Sequence, residues 1–528
     1  MTTQLPGQQL QNHLQTLLDG FVDFRGIENC ELSFKGLTNN SKKVHEDFLF
    51  LACAGSVHGI AYAGEAINRG ANCVLWEPTS ELQKMPSSCV VKDAADVPLI
   101  RVEALHEKAG EIAARFYQQP SRALNVIGIT GTNGKTSTAH FIAQLIHLMK
   151  NKEAKGKCAV IGTLGNGIYG ELEQATHTTP DAVTLQGLMA DFRNSQADTL
   201  VMEVSSHALA QGRVNGVDFD TAIFTNLSRD HLDYHGDMKH YADEKLKLFQ
   251  YTSLKHIVVN LDDAFSSEIM ASVGTRTDTG KTDIATYSRN DTTADFYACD
   301  VRLNQEGISF TLKTSDSFTL EKKAYKVNSR LVGDFNIENL LAAIAVLHQH
   351  GYELDNITSV ISKVTTVPGR MEKINDQDGD GLPLIVVDYA HTPDALEKGL
   401  KALRAHTQGK LCCLFGCGGD RDKGKRPLMA KVAEQYADSS IVTTDNPRSE
   451  SPEQIINEIV SGYSSMTNVS IEADRAQAIK KILQTAGAND AVLIAGKGHE
   501  DYQEINGERF PFSDKACVLS ILADRNLH

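Results

Sequence analysis

Short runs of β-branched and aliphatic residues recur along the chain, and each gives way to a polar stretch and then to a helical pattern. Over the first hundred residues the runs at 48–53 and 72–76 predict strands and 61–69 a helix. A helical stretch over 103–117 leads into Gln118-Gln119-Pro120-Ser121, a turn. Strand-like runs follow at 126–130, 158–163, 199–204, 221–225 and 256–260. Between the first two, Phe141, Leu145 and Leu148 with Ile142, Ile146 and Met149 form an apolar face at helical spacing. Polar stretches at 278–295 and 314–317 read as turns of a β insertion, and 336–348 as a strong helix. Val367-Pro368-Gly369-Arg370 punctuates the chain, after which the alternation resumes at 384–387, 411–415, 441–444 and 491–495. Strands alternating with helices predict an α/β protein with mostly parallel, doubly wound sheets. The boundaries predict three domains: a small α/β domain at 1–105, a large central domain at 106–366 and a Rossmann-like α/β domain at 367–528.

Composition narrows the partners. A chain of 528 residues is too long for one core, and 41% hydrophobic with 23% charged residues is ordinary for a soluble protein. A formal net charge of -15 repels phosphate backbones, so nucleic acid is not an expected partner. An anionic substrate would need a locally basic site. The N-terminal stretch lacks the basic-then-apolar order of a secretory signal, and no run approaches the ~18 apolar residues that span a bilayer. The ten cysteines are scattered; Cys412, Cys413 and Cys417 cluster where a buried strand is expected, so core packing accounts for them. A reducing cytoplasm follows, and a monomer is the expectation.

The chemistry begins at the strand over 126–130. Gly131-Thr132-Asn133-Gly134-Lys135-Thr136-Ser137 follows it and opens a helix. Glycines let backbone N–H groups approach phosphate oxygens, the helix N-terminus adds positive potential, Lys135 adds a point charge, and the Thr136 hydroxyl can hold Mg²⁺. The general phosphate-loop pattern has glycine where this chain has Ile129, so the loop is a variant.

Continued through Thr138, this variant resembles the ATP loop of the Mur ligase family. The resemblance implies a central ATP-binding domain between an N-terminal UDP-sugar domain and a C-terminal amino-acid domain that closes over the nucleotide. It implies an ATP-dependent amide-bond ligase of peptidoglycan precursor synthesis. Glu203, in Met202-Glu203-Val204-Ser205-Ser206-His207, and His231, in Ser228-Arg229-Asp230-His231-Leu232, match the family's Mg²⁺ ligands. Lys245 matches a lysine carried as a carbamate formed with CO₂. Alone, each of these three side chains would read as an ordinary surface or packed residue; their order in the family's motifs gives them the role. Lys135, Glu203, His231 and Lys245 are thus the expected catalytic set, with Thr136 also on the metal.

The same resemblance assigns the UDP-muramoyl dipeptide to His177, Thr178, Thr179, Ser205, Gln211 and Arg213. Arg213 is also persuasive chemically, since a fork donor suits a carboxylate or phosphate. Nearer the N-terminus, Asn39 and Ser41, and by position Ser56, Val57 and His58, stand where the uridine segments fall, although both segments depart from the family's usual residues. Asn336 and Asn339 resemble nucleotide-side residues. Pro368-Gly369-Arg370-Met371-Glu372 and Asp388-Tyr389-Ala390-His391 resemble hinge and ATP-side segments.

The discriminating motif is Asp445-Asn446-Pro447-Arg448. It looks like the signature of the members that add meso-diaminopimelate, whose distal end carries both an ammonium and a carboxylate. Arg448 offers a planar fork to the carboxylate. Arg421, Gly496 and Glu500 match the remaining amino-acid contacts. The expected substrates are therefore UDP-N-acetylmuramoyl-L-alanyl-D-glutamate, meso-diaminopimelate and ATP with Mg²⁺. A lysine-adding or folate-glutamate sibling, a nucleotide switch and a small-molecule kinase are the alternatives.

Overall fold

The computed structural model describes residues 13–24, 32–55, 57–80, 88–90, 97–153, 156–175, 177–274, 282–315, 323–374 and 381–525. The chain divides into two compact units, one of residues 1–139 and 150–285, the other of 140–149 and 286–528.

The first unit holds two sheets. One runs Gly36–Thr38, Phe48–Ala52, Ala71–Trp76, Pro98–Arg101, Ser88–Val90, parallel except for the last pair. Its strands are apolar on both faces because both are covered. Leu49, Leu51 and Leu75 pack with Leu105, Ile112 and Ala113 of the helix Leu105–Phe116. Phe50, Val74 and Trp76 pack on the other side with Ala63 and Ala66 of the helix Ala63–Asn68. The helix expected over 61–69 thus starts later. A 3-10 turn, Gly59–Tyr62, precedes it, set by the His58 side chain, whose Nδ1 accepts from Ile60 N at 3.0 Å.

The other sheet of this unit orders His256–Asn260, Thr221–Phe224, Asn125–Thr130, Ala197–Glu203, Lys157–Gly162, Gly165–Ile168 and Glu171–Glu173. The first five run parallel and the last two close antiparallel hairpins. Register brings Glu203 opposite Ile129 and Phe224 opposite Thr130. The segments that follow these strands therefore emerge at one carboxyl edge, where parallel sheets bind ligands.

In the second unit a six-stranded sheet orders Glu372–Lys373, Leu384–Asp388, Ala491–Ala495, Leu411–Phe415, Ser439–Val442 and Val469–Ile471, parallel after its first pair. Asp388 lies opposite Ala495, Leu414 opposite Ile494, and Phe415 opposite Val442. The loops beginning at Tyr389, Gly416, Thr443 and Gly496 thus leave a common edge. The strand expected over 441–444 sits two residues earlier, which frees Thr443 and Thr444 for the loop. Phe296–Asn304, Gly307–Thr314 and Tyr325–Ser329 form an antiparallel meander. The stretch 278–295, expected as turns, contains the strand Asp283–Ser288, whose alternating Ala285, Tyr287 and buried Ser288 explain it. Among the described residues no helix is long and apolar enough to cross a membrane.

Candidate active site

The strand Asn125–Thr130 delivers a tight loop into the helix Lys135–Glu153. Gly131 has φ 145, and a Cβ there would collide with the Thr225 hydroxyl, so the turn requires glycine. The loop is clamped by the neighbouring strand end: Thr132 N donates to Asn226 O at 2.8 Å, Asn133 N to Asn226 Oδ1 at 2.9 Å, and Thr225 Oγ1 to Asn133 O at 2.7 Å. Lys135 curls back over it, its Nζ donating to Gly131 O at 2.8 Å and to Thr132 O at 2.9 Å. Ser137 is half-buried in the first helical turn.

Glu203 is buried at the end of its strand. Its carboxylate accepts from Thr136 Oγ1 at 2.8 Å and from Thr163 N at 2.8 Å. Two of the expected metal residues, Thr136 and Glu203, thus meet directly. Lys245, on the helix Met238–Leu246, is only 1% exposed. Its Nζ donates to Gly131 O at 2.8 Å and lies 4.5 Å from the centre of the Tyr241 ring. Lys135 and Lys245 therefore share one carbonyl acceptor. Burial pushes the Lys245 ammonium well below its usual range, and the charge of Lys135 adds to this, while Asp230 opposes it. Lys135 is lowered by burial too, against the pull of Glu203 and Asp230.

His231 is an exposed residue with φ 53, and its backbone N donates to Asp230 Oδ1 at 2.9 Å. Its ring lies 4.9 Å from that of His207 and 6.3 Å from that of Tyr241. Among the described residues no three His, Cys, Asp or Glu side chains are arranged to hold a metal ion. Mg²⁺ does not demand such a cage, since it is held by one or two carboxylates together with substrate phosphates and waters. The oxygen donors of Thr136 and Glu203 beside a phosphate loop fit that chemistry.

The dipeptide candidates begin beside Glu203, at its backbone carbonyl. Thr179 Oγ1 donates to Glu203 O at 2.8 Å and accepts from Ser205 N at 3.2 Å, so its hydroxyl shapes the loop. The Thr178 and Thr163 hydroxyls stand 3.1 Å apart, and His177 is exposed beside them in sequence. Ser205 caps the helix Ser206–Ala210. Arg213 is oriented by Gln211 Oε1, 2.9 Å from Nε and 2.6 Å from Nη2, and donates from Nη1 to Thr179 O at 2.9 Å. Asn39 donates to Asp181 Oδ1 at 3.0 Å, which joins the segment of Asn39 and Ser41 to the loop of Thr178 and Thr179. Ser41 is buried and donates to Glu65 Oε2 at 2.7 Å. Val57 is exposed, His58 Nε2 meets Glu77 O at 2.8 Å, and Ser56 lies outside the described residues.

In the second unit, Asn336 is buried, donating to Val332 O at 2.8 Å and accepting from Asn339 Nδ2 at 3.0 Å. Asp445–Arg448 follows its strand as a turn locked from several sides. Asn446 is the hub: its Nδ2 donates to Glu500 Oε2 at 2.8 Å, and its Oδ1 accepts from Lys497 Nζ at 2.9 Å and Glu504 N at 3.0 Å. Gly496, at φ 119, passes so close to Asp445 that a Cβ would strike its carboxylate. Pro447 is buried. Arg448 donates from Nη1 to Gly419 O at 2.8 Å. Arg421 is exposed on the adjacent loop. That loop is pinned by fully buried Arg426, which donates to Gly418 O at 3.1 Å and pairs with Glu450 at 3.0 Å, holding the Glu450 carboxyl down at about 2.

Sequence reasoning passed over Asp230, Thr163, Lys497, Glu504 and the buried pair Arg475–Asp514. Arg475 Nε meets Asp514 Oδ1 at 2.7 Å, and its Nη2 donates to Ala495 O at 3.0 Å, next to Gly496. Asp230 stands inside a motif already singled out, and Lys497 between Gly496 and Glu500; the others carry no local signal.

Three family models match the chain: the Mur ligase family catalytic domain over residues 33–117, the Mur ligase middle domain over 129–347, and the Mur ligase glutamate ligase domain over 369–498. A UDP-N-acetylmuramoyl-L-alanyl-D-glutamate--2,6-diaminopimelate ligase of Pseudomonas putida is 46% identical over 490 residues, covering 92% of this chain and 94% of its own. The protein of the same name from Coxiella burnetii is 46% identical over 494 residues, covering 92% and 95%. A solved structure of such a ligase aligns with a TM-score of 0.76 at 38% identity, covering 98% of this chain and all of that one. MurF from Acinetobacter baumannii shares the fold at 16% identity, with a TM-score of 0.60 over 97% and 98% of the two chains. With that identity sustained along nearly the whole length, and with the three-domain α/β architecture in common, the chain belongs to the Mur ligase family.

Proposed function

We infer that this protein is an ATP-dependent ligase that adds meso-diaminopimelate to the D-glutamate γ-carboxylate of UDP-N-acetylmuramoyl-L-alanyl-D-glutamate, in cytoplasmic peptidoglycan precursor synthesis. The observation that carries the reading is Arg448, a guanidinium fixed at the edge of a charge-balanced loop, in a chain 46% identical to ligases named for this reaction. In this reading residues 1–105 bind the UDP-sugar, 106–366 bind ATP, and 367–528 bind the amino acid.

A carboxylate is a poor electrophile, so its oxygen first takes the γ-phosphoryl group of ATP, and ADP leaves. The amine of diaminopimelate then attacks the acyl phosphate, and phosphate leaves as the amide forms. Lys135 and the loop amides orient and neutralise the triphosphate. Thr136, Glu203, His231 and carbamylated Lys245 are the residues that would hold Mg²⁺, whose positive charge offsets charge developing during phosphoryl transfer. The lowered basicity of Lys245 supports the modification: a neutral amine adds to CO₂, forming an N–C bond and releasing a proton. Arg213, Gln211, Ser205 and the 177–179 loop are assigned to the dipeptide, with Asn39, Ser41 and the 56–58 segment towards uridine. Arg421, Asp445, Asn446, Pro447, Arg448, Gly496 and Glu500 are assigned to diaminopimelate, Asn446 chiefly as the residue that shapes the loop.

The test is phosphate release from ATP with the UDP-muramoyl dipeptide plus diaminopimelate, lysine or no amino acid. Strict dependence on diaminopimelate is expected. Equal rates with lysine overturn the specificity, turnover without an amino acid favours a nucleotide switch, and a stable phosphorylated product favours a kinase.

A further inference from the structure

Arg448 holds a left-handed backbone, φ 50, which is costly for a residue with a side chain and persists only when its surroundings impose it. The hairpin Tyr502–Ile505 and Glu508–Pro511 imposes it. Arg448 N donates to Glu504 O at 3.0 Å, and Asn506 N donates to Arg448 O at 2.8 Å, so the arginine is paired as if it were one more strand residue. Glu504 N in turn donates to Asn446 Oδ1 at 3.0 Å, joining the hairpin to the hub of the loop.

The side chains repeat the clamp. Arg448 Nη1 is taken by Gly419 O at 2.8 Å, while Nε faces Glu504 Oε2 at 3.4 Å. Nη2 has no hydrogen-bond partner among the described residues. One edge of the planar fork is hydrogen-bonded and a second is paired with a carboxylate, and the third is left to a ligand. A guanidinium on a flexible arm would lose rotamer freedom on capturing a carboxylate; one already fixed does not.

We propose that Glu504 is a positioning residue for amino-acid selection: its carboxylate and backbone hold the Arg448 fork so that Nη2 faces the distal carboxylate of diaminopimelate. This rests on the reading of Arg448 given above. The substitution Glu504→Gln keeps the shape and the backbone bonds but removes the charge. In steady-state assays of the full chain, Glu504→Gln raises KM for diaminopimelate about fivefold, the effect of a half-exposed ion pair. The kcat and the KM for ATP stay unchanged. Preference over lysine falls by a similar factor, because lysine has no distal carboxylate to gain from the fork. Glu504→Asp, which retains the charge, recovers part of the loss. The melting temperature of the Gln variant matches the parent. A KM for diaminopimelate that is unmoved or lower in Glu504→Gln overturns the proposal, the lower value identifying Glu504 as a competing counterion. A rise shared equally by ATP overturns it as well. A parent enzyme indifferent to diaminopimelate refutes the functional reading before any variant is compared, whereas a diaminopimelate-dependent parent with an unmoved Gln variant refutes the positioning role alone.

Discussion

The phosphate loop and the Asp445–Arg448 loop both sit at the carboxyl edges of parallel sheets, yet they treat charge in opposite ways. Around the phosphate loop, Lys135 and Lys245 are turned onto the same backbone carbonyl, and among the described residues neither hydrogen-bonds a carboxylate. Around the amino-acid loop, cations are already matched: Lys497 with Glu500 at 3.3 Å, Arg448 with Glu504 at 3.4 Å, Arg475 with Asp514 at 2.7 Å and Arg426 with Glu450 at 3.0 Å. A polyanion is best received by cations that lack anions of their own. A zwitterionic end is best received by a surface that is neutral in sum and patterned in detail. The folding cost is met differently too. Uncompensated buried ammonium groups are expensive, whereas bidentate buried pairs hold loops in place once formed.

The contrast is broken most severely at the first loop. Lys135→Ala removes a cation that is held by backbone carbonyls and left to face the nucleotide, and kcat should fall about a thousandfold, the scale of losing a preorganised charge contact to the transition state. Phosphate release under saturating substrates measures this; a loss below about tenfold would mean that the loop amides carry the stabilisation alone. Asp514→Asn tests the opposite design. It strands a fully buried guanidinium, so stability should drop by about 3 kcal/mol in denaturant titration. Arg475 also holds Ala495 O beside Gly496, so KM for diaminopimelate should rise in whatever protein remains folded. An unchanged midpoint would show that Arg475 finds another anion.

Arg448→Ala comes next in size. It should lower kcat/KM for diaminopimelate about a hundredfold, the discrimination lost when a site's charged hydrogen bonds to a ligand are removed. ATP binding, followed by isothermal titration, should be unaffected. If both substrates weaken together, the two loops are not the independent devices their charge patterns suggest.

The strand runs were legible because parallel strands covered on both faces must be continuously apolar, as at Leu411–Phe415 and Ala491–Ala495, which match the expected ranges. The loops following them were legible because glycines and polar motifs mark strand ends. What escaped was of two kinds. Arg475 and Asp514 escaped outright, and of Lys245, whose role its motif had already suggested, only the burial did. All three sit on charged or amphipathic helices, where a charged residue ordinarily faces water; only the fold reveals that they are buried. Glu504 lies on a hairpin whose strand Glu508–Pro511 is exposed throughout, so no alternation of apolar and polar residues announces it. Its link to Arg448 spans 56 positions that no local spacing encodes. Asn39 was noticed, but its hydrogen bond to Asp181 joins positions 142 apart.

The smallest effect is the most direct measure of the uncompensated design. Lys245 has its folded pKa well below 10.5, mainly through burial. Between that lowered value and 10.5 the folded protein holds a neutral amine and the unfolded chain an ammonium. The unfolded state then binds more protons, so stability rises with pH across this window, by at most about 1.4 kcal/mol per pH unit from this group. Lys245→Met removes the titration, so its stability against pH should be flatter than the parent's, and it should be the more stable protein at the lower end of the window, at the expense of activity. Bicarbonate separates the bare lysine from its carbamate. An added carboxylate would give Lys135 an anionic neighbour, so bicarbonate should raise the parent's melting temperature and leave the Met variant where it was. Equal shifts in both would mean that carbonate binds elsewhere, and that the first loop keeps its charge unbalanced until nucleotide arrives.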